Sequence, residues 1–189
     1  MISKSDGQKL VNLAREAITL YFQDKKPDLK NYSKFSKKQG VFVTLKKNGN
    51  LRGCIGFPTP YYPLNEAITK ASLAAAFEDP RFDSLKKDEF KSIECEISVL
   101  TIPEKIYVKK SEDYIKKIKV GTDGLIVNNN FTSGLLLPQV ATEQGWDAKT
   151  FLEAACEKAG LTRSAWKDSD TEICKFQAQI FSEDEKRGK

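Results

Sequence analysis

The chain has 189 residues, of which 40% are hydrophobic and 30% charged. That composition reads as a soluble globular protein rather than a disordered one and allows one domain with a substantial core, or two closely packed subdomains. The 31 basic residues exceed the 26 acidic ones by five, a modest excess, and no apolar run approaches the ~18 residues of a transmembrane helix, so no membrane segment is expected. The beginning, Met1-Ile2-Ser3-Lys4-Ser5-Asp6, lacks an apolar signal region, and a cytoplasmic location is expected.

There is no histidine, so neither a Cys–His nor a Ser–His nucleophile pair can be assembled. Any general base near neutral pH must be a shifted carboxylate, lysine or thiolate. The scattered Cys54, Cys95, Cys156 and Cys174 form no C-x-x-C pair. A metal is therefore not expected, nor is any cofactor, and reduced, buried thiols are the default. Only five arginines, at 15, 52, 81, 163 and 187, accompany 26 lysines. Lysine and glutamate enrichment of this kind fits the surface of a thermophile's protein. Segments such as Lys116-Lys117-Ile118-Lys119 read as a solvated helix face rather than a nucleic-acid surface.

In chain order, Ser5–Gln23 is predicted to be an amphipathic helix carrying Leu10, Leu13, Ala14, Ala17, Ile18 and Tyr21 on one face, with Ser5 or Asp6 as cap. After a polar connection, Val41–Leu45 reads as a strand, Lys47-Asn48-Gly49 as a tight turn and Leu51–Gly56 as the returning strand. A two-residue turn would pair Val43 with Cys54. A three-residue turn would pair Val41 with Ile55 and Leu45 with Leu51. The second register is preferred, because it gathers Val41, Val43, Leu45, Leu51 and Ile55 on one apolar face and puts Arg52 and Cys54 on the other.

Pro63 can open a helix over Leu64–Glu78 with a small-residue stripe suited to packing on a sheet, and Asp79-Pro80 stops it. Ile93, Cys95, Ile97 and Val99 alternate with polar residues as a strand with one wet face. Ser111–Ile118 reads as a short capped helix, and Gly124–Val127 with Phe131–Leu137 as a second hairpin. Pro138-Gln139-Val140 leads into a short turn ending at Gly145. A helix follows over Ala148–Ala159, with Asp147 as cap and Gly160 as stop. Trp166 falls in a polar loop, a last strand runs from Ile173 to Phe181, and residues 183–189 form a charged, frayed tail. Hairpins with helices grouped between them indicate an α+β fold, mainly antiparallel sheet with packed helices.

The stretch Leu51-Arg52-Gly53-Cys54-Ile55-Gly56 is the strongest functional candidate. Glycine within a strand weakens it and marks a close approach to the backbone or a bend. Cys54 is a candidate nucleophile if Arg52 or Arg81 lowers its pKa, or simply a small residue in a tight strand. Arg52 and Arg81 could clamp an anion, with Gly53 and Gly56 admitting it to the backbone, or one of them could pair with Asp79 or Glu78 and tie the loop to the sheet. Asp79 is the alternative acid–base group. Gln139 could orient a ligand through its amide or cap a broken turn, and Trp146 is read as a packing anchor.

Together with Asp79-Pro80-Arg81-Phe82, Leu137-Pro138-Gln139-Val140, Gly145-Trp146-Asp147 and Lys158-Ala159-Gly160-Leu161, the Leu51–Gly56 stretch makes the chain resemble the AMMECR-type domain family, from the first helix to the last strand. The resemblance implies one domain of two closely associated subdomains with the Leu51–Gly56 stretch between them. It also implies pathway partners of the Memo and radical-SAM types. Many relatives carry His-Gly where this chain has Asp123-Gly124, so no role of that histidine transfers. Two expectations follow. The protein binds an anionic ligand or a partner segment at this stretch, or it is a cysteine-dependent enzyme acting on a small anionic molecule or a modified macromolecule. An RNA-associated role drawing on the lysine excess is a third.

Overall fold

The fold is that of a computed structural model, which describes residues 1–183. It is α+β, with antiparallel strand pairs in two four-stranded sheets. The described chain divides into two compact units, one of residues 1–100 with 179–183, the other of residues 101–178.

The first unit starts with α1 (Lys4–Tyr21), which buries Leu10, Leu13, Ala14, Ala17 and Ile18. Its cap is Ser3 rather than Ser5 or Asp6: the Ser3 hydroxyl accepts the N–H of Asp6 at 3.2 Å. Tyr21, expected on the apolar face, is half-exposed. A 3-10 segment, Leu29–Phe35, precedes β1 (Val41–Lys47) and β2 (Asn50–Phe57). These join β3 (Ile93–Leu100) and β8 (Ala178–Ser182) in the order β2-β1-β3-β8.

The β1–β2 hairpin follows neither expected register. Its turn has two residues, Asn48 and Gly49, both left-handed at φ 51° and 77°, but the register shifts between Leu45 and Lys46. That bulge takes up one residue of β2. Lys46 pairs with Leu51, whereas Leu45 pairs with Gly53, Thr44 with Cys54 and Val43 with Ile55. Cys54 therefore lies opposite the apolar face as expected, but through the bulge rather than a three-residue turn. Leu51 is correspondingly exposed.

Helix α2 (Leu64–Phe77) packs its alanine stripe on this hairpin. At Gly53 a Cβ would lie 2.1 Å from the carbonyl oxygen of Ala75, so the helix approaches the strand through a missing side chain. Gly56 is likewise occupied, because a Cβ there would lie 2.5 Å from the Phe42 ring. A one-turn helix, α3 (Lys87–Phe90), leads into β3. Glu183, assigned by sequence to a frayed tail, pairs with Arg15, the Nη2–Oε2 contact being 2.7 Å, and accepts the N–H of Cys95 at 2.9 Å. The remainder of that assignment, residues 184–189, lies outside the described residues.

The second unit holds β4 (Glu104–Lys105), β5 (Gly124–Asn128), β6 (Ser133–Leu136) and β7 (Glu172–Phe176) in the order β4-β7-β5-β6. Its helices are α4 (Asp113–Lys117), which no side chain caps, α5 (Pro138–Glu143) in place of the expected short turn, and α6 (Ala148–Lys158). Asp147 caps α6 by accepting the N–H of Thr150 at 2.7 Å. Trp166 is 3% exposed and belongs to this unit's core, not to a polar loop. The single last strand expected over 173–181 breaks at Gln177. There, hydrogen bonds with Thr101 replace the ladder, and β7 and β8 enter different sheets.

Because an alanine Cβ at position 53 has only the α2 backbone to displace, Gly53→Ala is expected to destabilise the protein by about 2–3 kcal/mol. Gly145→Ala, with nothing within 4 Å but φ at +65°, should lose about 1 kcal/mol. Urea midpoints of the two variants decide this, and equal losses would refute the close-packing role of Gly53.

Candidate functional site

Strand β2 is an edge of its sheet, so at Cys54 one backbone N–H and one carbonyl face away from β1. The loop after α2 satisfies both. Pro80 ends the helix, and Asp79, 4% exposed, accepts the N–H of Cys54 at 2.8 Å through Oδ2. The Arg81 guanidinium donates to the Cys54 carbonyl at 3.2 Å. Arg81 also grips Asp79 bidentately, Nε to Oδ1 at 2.9 Å and Nη2 to Oδ2 at 2.6 Å, while its own N–H donates to Oδ1 at 3.1 Å. Two side chains thus stand in for a fifth strand at this one residue, closing the edge against stray pairing.

A second ion pair continues the arrangement. Arg52 donates Nε to Glu89 Oε1 at 3.0 Å and Nη2 to Oε2 at 3.1 Å, and Nη2 also reaches the carbonyl of Asp83 at 2.8 Å. Lys47 adds a third contact to Glu89 at 3.1 Å. The Phe82 ring is near both arginines, its centroid 5.7 Å from the Arg52 guanidinium carbon and 5.5 Å from that of Arg81.

The electrostatics decide what this cradle can do. Hydrogen bonds from Arg81, with those from the Cys54 and Arg81 N–H groups, outweigh burial and hold the Asp79 carboxyl at about 2. Arg52, then Lys47, hold Glu89 at about 2 in the same way. Burial raises the Cys54 thiol, and the Thr44 hydroxyl, 3.4 Å from its sulfur, and the Arg81 charge only partly offset this. Burial therefore works against an activated thiolate at Cys54, and a carboxyl held at about 2 makes Asp79 a weak base near neutral pH. Burial likewise pushes Cys95 to about 12 and Cys156 and Cys174 to about 11.

The six sequence candidates other than Cys54 each find structural partners or a new place. Arg81 pairs with Asp79, the pairing that the loop-tying alternative named, and Arg52 pairs with Glu89, which it did not. The space beside Gly53 is taken by the α2 backbone, and that beside Gly56 by the Val41 carbonyl and the Phe42 ring. Gln139 stands at the second position of α5, in the other unit; its amide oxygen is buried without a hydrogen-bond partner, so it caps nothing. Asp123 is buried and accepts the N–H of Lys119 at 3.0 Å, which gives it a place in a turn. Among the described residues no three cysteine, aspartate or glutamate side chains gather as metal ligands. Sequence reading missed Glu89, Lys47, Thr44 and Phe82. Thr44 meets Cys54 only through the bulged register, and the separation of 37 residues hides Glu89.

Two depressed carboxylates contribute stability that is complete above their unfolded values near ~4 and is lost as pH falls toward 2. Asp79 alone accounts for about 2 kcal/mol of that loss. Urea unfolding at pH 6 and pH 3 should therefore show a smaller acid loss in Asp79→Asn than in the parent, and equal losses would refute the assignment.

The chain resembles known proteins along nearly its whole length. A protein of Methanothermobacter thermautotrophicus is 48% identical over 191 residues, covering 97% of both chains. Protein Ta0236 of Thermoplasma acidophilum is 48% identical, covering 99% of this chain and 92% of its own. The crystal structure of protein PH0010 from Pyrococcus horikoshii matches with a TM-score of 0.90 at 48% identity, covering 97% of this chain and 94% of that one. The AMMECR1 family profile matches residues 11–181, and the chain belongs to the AMMECR1 family.

Proposed function

We propose that the protein is a binding module that presents Arg81, on the loop beside β2, to a carboxylate or phosphate of a small ligand or of an acidic partner segment. The supporting observation is that Arg81 is held bidentately by a carboxylate only 2% exposed while 51% of its own side chain remains accessible. A fork already ordered by Asp79 and by the Phe82 ring loses little conformational freedom on binding. Among the paired groups of the cradle, three cations face two carboxylates, which leaves an attraction for an anion. A cytoplasmic setting belongs to this reading, because the four cysteines are free thiols. The Memo-type and radical-SAM pathway proteins are where such a segment would be sought.

The cysteine-enzyme alternative is disfavoured by the raised thiol and the strongly acidic Asp79. The RNA alternative is weakened by the pairing of several lysines with acids, as in Lys46–Glu96 and Lys105–Glu172.

Titration with inorganic phosphate, followed through the backbone N–H resonances of residues 81 and 82, should give a saturable shift that Cys54→Ser preserves and Arg81→Lys abolishes. Alkylation of Cys54 should accelerate only above the ordinary thiol range near ~8.5. No phosphate-dependent shift, together with fast alkylation near pH 7, would reverse the ranking in favour of the enzyme.

A further inference from the structure

A cavity of about 610 Å³ lies within the first unit, among residues that take no part in the Cys54 cradle. That volume is within the range of small-molecule sites. Its apolar wall comes from Ala17 and Tyr21 of α1, Leu73 of α2, and Leu29 at the start of the 3-10 segment. Leu29 and Leu73 are themselves packed on the core, so this wall is part of the folded framework.

Tyr21 is the feature the sequence pattern does not explain. It follows the buried row of α1 yet is 50% exposed, and its ring is stacked on Phe77 with centroids 4.4 Å apart and planes at 30°. Stacking on Phe77 fixes the ring in place, and its accessible surface lines the cavity as a rigid aromatic wall.

The segment crossing the cavity is anchored at both ends. Asp24 is left-handed at φ 56°, with its N–H on the Tyr21 carbonyl at 3.1 Å, and the N–H of Lys25 returns to Leu20 at 2.9 Å. At the other end, Asp28 caps the 3-10 segment by accepting the N–H of Lys30 at 3.0 Å. Between these anchors Lys25 and Lys26 line the cavity, both exposed, and among the described residues neither forms an ion pair. The charges on the α2 side, Glu66 and Lys70, pair with each other at 3.6 Å. The uncompensated charge of the rim is thus two ammonium groups against the single carboxylate of Asp24.

We propose that this cavity binds a small aromatic anion. Its ring system packs on Tyr21, Leu29 and Leu73, and its carboxylate, sulfonate or phosphate is met by Lys25 and Lys26. The apolar wall supplies the affinity and the lysine pair supplies selection for negative charge. This site is separate from the Arg81 loop, and either proposal can stand without the other.

Anilinonaphthalene sulfonate, an aromatic anion whose fluorescence reports an apolar environment, tests this, with the uncharged phenylnaphthylamine as its partner probe. The folded protein should bind the sulfonate saturably at one site. Lys25→Glu with Lys26→Glu should weaken it about tenfold and leave the neutral probe within about twofold. Thr69→Trp, which fills the cavity from α2, should displace both probes, with circular dichroism and the urea midpoint confirming that the variant is folded. Absence of saturable binding, binding indifferent to Thr69→Trp, or equal weakening of both probes by the lysine reversal would each overturn the proposal.

Discussion

The Asp79 carboxylate is the interaction on which the Leu51–Gly56 region depends. It is buried and charged, which is tolerable only because four hydrogen bonds from three groups reach its two oxygens. The same bonds close the exposed edge of β2 and set the position of Arg81. Removing one partner leaves an unpaired charge in the fold, so strand edge, loop and guanidinium behave as one unit. The Arg52–Glu89 pair extends this unit along the strand to the one-turn helix before β3.

This arrangement changes what the motif means. Read as a string, a cysteine between glycines and next to an arginine suggests a reactive thiol with room for a substrate. In the folded chain one glycine admits a helix, the other admits a phenylalanine ring, and both arginines are paired with carboxylates. Burial then works against the thiolate. What remains open to solvent is the accessible half of Arg81, held by Asp79, and the binding proposal rests on it.

Much of the framework was legible because it rests on local chemistry. The helical spacing of Leu10, Leu13, Ala14, Ala17 and Ile18, the alternation of β3, the Asp147 cap and the Asp79-Pro80 stop depend on neighbours within a few residues. Tyr21 satisfies the same helical spacing and is still half-exposed, with its ring stacked on Phe77 from far along the chain. Trp166 shows the opposite error: its neighbours are polar, yet the core of the second unit has room for its ring.

The amino-acid sequence by itself determined the α+β class, the exclusion of histidine chemistry and the order of most elements, because composition and periodicity carry those directly. It also raised the correct alternative for Arg81, its pairing with Asp79, since two residues of separation are within reach of a side chain. Only the tertiary structure decided the hairpin register, through a bulge that no pattern announces. It alone brought Glu89 to Arg52 and buried Asp79. The reason is physical: a pKa or an ion pair across tens of residues is set by what the fold packs around a group, and that environment has no counterpart in the group's neighbours along the chain.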